Sequence, residues 1–291
     1  MLIKELSRLT NLTKKAIEYY SEQGLVYPTI LENGYRDYNQ DDIERLKKIA
    51  VLRKLDISTV EIFEILNDKT DSVLQKILVK KELEAKREKE KTSILEDLSS
   101  GESYEEINKK LCTMDQFKKI TDKLLDSFPG YYGRFICMHF AGFLNEAIET
   151  KSQQEAYETI VEFLDNLPDF NIPEDLQEYF DEGTKDMGIQ QISKLLSNTQ
   201  DICDNPDAYL ENNKELLAKY LEFKQSSEYQ NSPAAKLAKL MKDFNCSNGY
   251  NDVFIPAMRK LSVSYAEYYK KLESVNEKLI KKHPEYNNIA E

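Results

Sequence analysis

Tryptophan is absent from this chain, and histidine occurs only twice. The four cysteines, Cys112, Cys137, Cys203 and Cys246, lie too far apart in sequence for a metal clip. Neither a metal site nor a cofactor is therefore expected. The cysteines read as reduced thiols serving as small apolar side chains. Nucleophile motifs, phosphate-cradling loops and paired metal ligands are all missing, so an enzyme is not expected. No apolar run is long enough to cross a bilayer, and the start of the chain lacks the basic and apolar regions of a signal peptide. The reading is a soluble, cytoplasmic protein with no membrane partner. Strand-like alternation bounded by hairpin turns is missing beyond Ser103, which leaves a mainly α fold.

What is present is charge, unevenly placed, and enough length for two domains with a sizeable core: 291 residues with a net charge of −12. Residues 1–70 hold 11 Lys and Arg against 12 Asp and Glu, which leaves 29 against 40 for the remainder. The acidic excess sits in the back of the chain. Such bulk, held away from DNA, lowers non-specific affinity and makes binding sensitive to salt.

The front is the most patterned part. Ile3, Leu6 and Leu9 share one face of a short helix, and a break at Asn11 follows. Thr13 can cap a second helix, in which Ala16, Ile17 and Tyr20 form the buried face. Gly24 suits the left-handed residue that ends it, and Pro28 stops the chain from resuming one. Two short helices around a tight turn make a helix-turn-helix, whose second helix enters the major groove. Lys14 and Lys15 lie at the start of that helix, and Tyr19 lies off its buried face, so all three are candidate DNA contacts. Asn33-Gly34 favours a tight hairpin turn. Its flanks carry Tyr35, Arg36 and Tyr38, a cation between hydroxyl-bearing rings suited to gripping phosphates. Asp41 can open a third helix with Ile43, Leu46 and Ile49 inward, and Ser58 with Glu61 has capping-box spacing for a fourth.

Taken in order, Tyr19-Tyr20, Gly24-Leu25, Pro28, Gly34-Tyr35-Arg36 with Tyr38, Asp42-Ile43 with Leu46, and Ile62 with Leu66 resemble the MerR family of bacterial transcription regulators. The resemblance covers Leu2 to about Leu66 and the helix behind it. Two departures stand out: Glu18 and Thr29 occupy positions where the family usually has arginine, so neither is carried over as a DNA contact. The resemblance implies a winged helix-turn-helix, an antiparallel dimer helix and a pseudo-palindromic promoter operator. It further implies that DNA is distorted so that RNA polymerase engages when a ligand binds. Some relatives sense metals or oxidants through cysteines near the end of the dimer helix; Cys112 alone lies near such a place, with no close second ligand.

Residues 71 to about 99 read as one long helix. Alternate steps of four and three give a seam of Leu74, Leu78, Lys81, Ala85, Glu88, Thr92 and Leu95. A parallel pair would set Lys81 against Lys81 and Glu88 against Glu88. An antiparallel pair centred on Ala85 sets Lys81 near Glu88 and meets apolar with apolar. A solvated single helix is the alternative, because residues 80–91 are mostly Lys and Glu.

Beyond Ser103 the pattern implies helices at roughly 104–112, 114–127, 131–150, 152–166, 173–203, 206–229, 233–245 and 250–282, with a break at Pro129-Gly130. The third has a dense apolar centre, which marks a helix central to a bundle. Ala141 and Gly142 beside large rings either admit another helix or leave room for a ligand. Tyr131, Tyr132, Phe135, Met138, His139, Phe140 and Phe143 are the candidate ligand-pocket residues, with core packing as the alternative. Tyr265, Tyr268 and Tyr269 form a second aromatic cluster. The expected organisation is a winged helix-turn-helix over 1–70, a coiled-coil dimer helix over 71–100 and an all-helical effector domain over 101–291. The expected function is a homodimeric regulator of double-stranded DNA that responds to a small hydrophobic or aromatic ligand. The alternative is a ligand-sequestering protein that only regulates itself.

Overall fold

The computed structural model describes residues 1–68, 72–128, 130–282 and 284, and these divide into two compact units, Met1–Leu74 and Gln75–Glu291. The expected domain boundary at 70/71, the helix start at Asp71 and the break at Pro129 fall outside the described residues.

The first unit begins with α1 (Ile3–Thr10) and α2 (Lys14–Glu22). A two-stranded antiparallel hairpin follows, β1 (Thr29–Ile30) and β2 (Arg36–Asp37), then α3 (Gln40–Lys54) and α4 (Thr59–Asn67). Its core is built from the apolar positions at helical spacing: Leu6, Ile17, Leu25, Leu46, Ile49 and Ile62 are all fully buried. Tyr38 is buried with them at 1% exposure. The third helix does not open at Asp41. Asn39 caps it, accepting from the Asp42 N–H at 2.8 Å, and the Asp42 carboxylate accepts the Asn39 N–H at 3.1 Å. Asp42 is 3% exposed because its other oxygen accepts the Tyr27 N–H at 2.8 Å, so this reciprocal cap also anchors the base of the hairpin. Ser58 and Glu61 form the cap expected for α4.

The second unit is a helical bundle. The long helix α5 (Ser72–Ser99), which begins within the first unit, leads to α6 (Tyr104–Ser127), α7 (Gly130–Ala141) and α8 (Lys151–Asp165). Then come α9 (Glu174–Thr184), α10 (Ile189–Asp204), α11 (Pro206–Asn212), α12 (Lys214–Gln225), α13 (Ser227–Gln230) and α14 (Pro233–Ser247). A π-helical turn (Tyr250–Phe254) leads into α15 (Ile255–Leu261) and α16 (Val263–Lys282). Helix α6 packs on α7 and α8, α15 packs on α8, and α16 packs on α10 and α15. Gly133 sets the approach of α7 to the end of α6: a Cβ there would stand 2.2 Å from the Phe128 carbonyl oxygen. The main core gathers Phe117, Ile120, Leu124, Phe140, Ile160, Phe254 and Met258.

Several helix limits differ from the expected ones. Residues 104–127 are one helix, because nothing at Cys112-Thr113 interrupts it and Met114 and Phe117 are buried across the expected break. Helix α7 stops at Ala141, where Gly142 and Phe143 turn their N–H groups back to the carbonyls of His139 and Phe140 in a tightened last turn. The segment 173–203 divides at Lys185–Gly188, and 206–229 divides at Asn213 and Ser226, whose hydroxyl caps α13. The segment 250–282 carries a π-turn in which the Phe254 N–H reaches the Gly249 carbonyl. Pro256 follows two residues after Phe254 and has no N–H to give, so the widened turn sits where an ordinary helical bond cannot form. Ser262 then breaks the chain, and its hydroxyl accepts the Tyr265 N–H at 3.1 Å.

Candidate nucleic-acid interface

Helix α2 is defined at both ends by its own residues. The Thr13 hydroxyl accepts the Ala16 N–H at 3.1 Å, which satisfies one orphan donor of the first turn. At the other end Gly24 has φ +69°. The Leu25 N–H donates to the Tyr20 carbonyl at 2.9 Å and the Gly24 N–H to Ser21 at 3.2 Å, the paired bonds of a Schellman cap. Leu25, fully buried, clamps that cap to the core. The first turn carries no acidic residue; it carries Lys14 and Lys15, both exposed. Cations at a helix N-terminus oppose the macrodipole, a cost of about 0.3–1 kcal/mol each, and an anionic backbone laid against this end removes it.

Tyr19 is 43% exposed; its hydroxyl lies 3.4 Å from the Thr59 hydroxyl at the start of α4, and its ring centroid 5.7 Å from that of Tyr20. Two polar side chains from different helices thus stand beside the exposed face of α2. Tyr20 is 6% exposed and belongs to the core. Glu18 and Thr29 are both exposed.

The hairpin is less tight than Asn33-Gly34 suggests. Thr29 pairs with Asp37 and Ile30 with Arg36. The Leu31 N–H donates to the Tyr35 carbonyl, and the Gly34 N–H donates to the Leu31 carbonyl, both at 2.8 Å. Only Gly34 of the pair takes a positive φ, +78°, while the Asn33 side chain accepts the Tyr35 N–H at 3.1 Å. The loop is therefore three residues, Glu32 to Gly34, closed by a left-handed glycine. Tyr35 projects at its tip, 62% exposed. Arg36 is half-buried and makes no ion pair among the described residues.

Tyr38 departs from its expected role. Its ring is 1% exposed and its hydroxyl lies 3.4 Å from the Ser21 hydroxyl, so it packs beneath the wing and cannot lay its side chain on a phosphate. Sequence reasoning missed Arg45. Its Nε donates to the Leu25 carbonyl at 2.8 Å and its guanidinium lies 5.8 Å from the Tyr27 ring centroid, tying α3 to the turn between α2 and the hairpin. An i, i+3 reading within α3 has no access to that long-range bond.

In the second unit α5 has two distinct faces. Ile77 and Val79 are buried, and Leu83, Arg87, Glu90 and Ile94 are half-buried. Leu78, Lys81, Ala85, Glu88, Thr92 and Leu95 are exposed, Leu78 by 50% and Leu95 by 64%; Leu74, at the end of the first unit, is half-buried.

The seven residues singled out as a ligand pocket pack against one another and their neighbours. The His139 ring lies among Phe140, Phe143, Tyr268, Tyr265 and Phe135, with centroids 4.9 to 6.4 Å away. Phe140 is 1% exposed, edge-on to Phe254 at 5.0 Å. Tyr131 tilts against Phe135, and Tyr132 packs edge-on to Phe128 while sharing a hydrogen bond with Asn245. Burial pushes the His139 imidazole down to about 4. It holds the Tyr265 and Tyr268 hydroxyls in their neutral form, the latter raised to about 12. The larger space lies beside this cluster: a cavity of about 400 Å³ between α5, α6 and the segment after α7, with Leu83, Phe117, Ala141 and Leu144 among its walls. Met138 alone of the seven lines a second, smaller cavity of about 170 Å³, and Ala141 borders both. Cys112 and Cys246 are exposed and unpaired; Cys137 and Cys203 are buried, and burial raises the Cys137 thiol to about 12. No helix among the described residues is long and apolar enough to cross a membrane.

Comparison with known proteins places this geometry. The model of the MerR HTH family regulatory protein matches residues 1–69, which spans α1 to α4 and the hairpin. The transcriptional regulator CueR of Vibrio cholerae serotype O1 is 29% identical over 134 residues, 46% of this chain and 84% of that protein. CueR of Escherichia coli O157:H7 is 38% identical over 68 residues, 23% of this chain and 50% of that protein. The regulator TnrA of Bacillus subtilis strain 168 is 35% identical over 78 residues, 27% of this chain and 71% of that protein. No solved structure matches the chain. With the whole winged unit matched, and with TnrA 35% identical across 71% of its own length, this chain belongs to the MerR family of DNA-binding transcription regulators.

Proposed function

We propose that the protein acts as a homodimer that grips and distorts a pseudo-palindromic promoter operator, under the control of a small molecule held by its helical second unit. The observation that carries this reading is the exposed seam of α5. A helix buried on one side only, with Leu78 and Leu95 turned outward, has an unpartnered apolar face. A second copy running antiparallel covers it, pairs Lys81 with Glu88 across the crossing, and joins two DNA-binding units in one dimer. Lys14 and Lys15 are assigned to base edges and phosphates of the groove. Tyr19, Tyr35 and Arg36 are assigned to the phosphates flanking it. The domains follow as DNA-binding unit over 1–70, pairing helix over 71–100 and effector domain over 101–291. RNA polymerase at the same promoter is the partner that the distortion serves, and the cytoplasm is the compartment in which it meets both.

The test is hydroxyl-radical footprinting of the regulated promoter with the full chain. Two protected half-sites related by a dyad, with enhanced cleavage between them, are expected. A single half-site protected at saturation, with no change at its edge, contradicts the dimeric, distorting mode.

A further inference from the structure

The cavity of about 400 Å³ beside α5 falls within the roughly 300–1,000 Å³ of small-molecule sites. Its floor is apolar: Leu83 and Ile94 from α5, Met114 and Phe117 from α6, Leu144 beyond α7. Its charges are uneven. Of the two acids that border it, Glu146 is already committed. Burial alone raises its carboxyl, but hydrogen bonds from Ser264, Val263 and Ser262 outweigh this and hold it below the usual carboxylate range. It thereby caps the start of α16. Of the four cations, Lys110 is committed to Asp97 and Glu102, at 2.7 Å each. Lys86, Arg87 and Lys118 remain against Glu90, and none of these three cations has an ion-pair partner among the described residues. Arg87 is half-buried at the wall, and its charge has no ion-pair partner among the described residues.

We infer that this cavity is the effector site of the second unit and that it takes an amphipathic anion, an apolar body with a carboxylate or sulfonate head set against Arg87, Lys86 and Lys118. The apolar floor receives the body, and the planar guanidinium receives the head through paired hydrogen bonds. The location also supplies a route to the DNA. On α5 the cavity wall runs through positions 83, 87, 90 and 94, whereas the proposed pairing seam runs through 81, 85, 88 and 92. Two residues along a helix turn about 200°, so wall and seam lie on opposite sides of one rod. A ligand that shifts the wall shifts the seam of the same helix, and with it the separation of the two DNA-binding units. This role as an effector site rests on the regulatory reading above; the binding chemistry does not.

The probes are 8-anilinonaphthalene-1-sulfonate and N-phenyl-1-naphthylamine, the same ring system with and without the anionic head. Each is titrated by fluorescence into the full chain, with thermal unfolding followed in parallel. One sulfonate probe per chain is expected, with a rise in Tm. Arg87→Gln is expected to weaken it about tenfold, leaving the weaker neutral probe unchanged. Ser93→Trp, which fills the mouth, is expected to remove both. Variants are compared only where far-ultraviolet circular dichroism matches the wild type. Should Arg87→Gln unfold, Lys118→Gln is read in its place, with the same loss expected. Absence of binding, equal binding of the two probes, or sulfonate binding untouched by these variants overturns the assignment. Operator binding of the ligand-free protein is measured separately. Its failure removes the regulatory reading while leaving a verified cavity standing; a probe that binds without altering the footprint removes the effector role alone.

Discussion

Acidification should unlock the second unit through one residue. His139 is enclosed by five aromatic rings, and burial holds its imidazole at about 4 against an ordinary value near 6.5. The sign follows from linkage. The unfolded chain takes up a proton as pH falls through 6.5, whereas the folded chain resists until about 4. The neutral imidazole therefore contributes stability that is complete above pH 6.5 and is lost progressively on the way down to 4. The full displacement corresponds to roughly 3 kcal/mol at about 1.4 kcal/mol for each tenfold, of which about 1 kcal/mol is lost by pH 5.5. The sequence pI of about 5.0 makes pH 5.5 a sensible lower limit for a soluble sample. The assay is urea unfolding followed by circular dichroism at pH 7.5, 6.5 and 5.5 for wild type and His139→Leu. Carboxylates titrate in both proteins and cancel in the comparison, so the wild type should lose about 1 kcal/mol more than the variant over this range. Equal losses would refute a neutral, caged histidine, and so would a variant that loses more.

Three other outcomes are expected. A cysteine placed at Ala85, near the proposed crossing of α5 with its copy, should cross-link efficiently to itself under mild oxidation, whereas one at Leu74 should not; efficient cross-linking at 74 would show a parallel pair. Gly133→Ala should destabilise the second unit by about 1–3 kcal/mol in chemical unfolding, because its Cβ would stand 2.2 Å from the Phe128 carbonyl oxygen, and a neutral effect would mean that α7 has room to move. Glu146→Ala should cost about 1 kcal/mol by removing the acceptor for the Val263 and Ser264 N–H groups, and should leave operator binding by ligand-free protein unchanged, as mobility shift would show.

The first unit was legible because its signals are local. Thr13, Gly24, Ser58 and Glu61 each act within a few residues, and caps of that kind survive any tertiary context. Even there the hairpin loop is less tight than Asn33-Gly34 suggests, since Asn33 spends its side chain on Tyr35 instead of taking a left-handed backbone. Tyr38 turns inward just past a two-residue strand, which is too short for alternation to say which face meets the core. In the second unit helix as a state was readable and helix length was not. The turn after Ala141 and the π-turn before Pro256 are local but leave helical periodicity unchanged, and the packing of the bundle depends on contacts far apart in sequence. So does the cavity: Arg87, Thr113 and Glu146 meet only after three segments have packed, and no spacing announces them. The aromatic run 135–143 packs with the core beside the cavity, the alternative that the sequence left open.

The wing is where DNA contact is most directly measured. Arg36 stands half-buried in the hairpin with no ion pair among the described residues, next to the exposed Tyr35. Operator affinity should be measured against salt concentration for wild type and Arg36→Ala. Each phosphate contact contributes about 0.9 to the slope of log affinity against log salt, and a symmetric dimer loses two, so the slope should fall by about 1.8 along with affinity, while circular dichroism stays unchanged. A folded variant with wild-type affinity and wild-type slope would contradict the placement of DNA on this face.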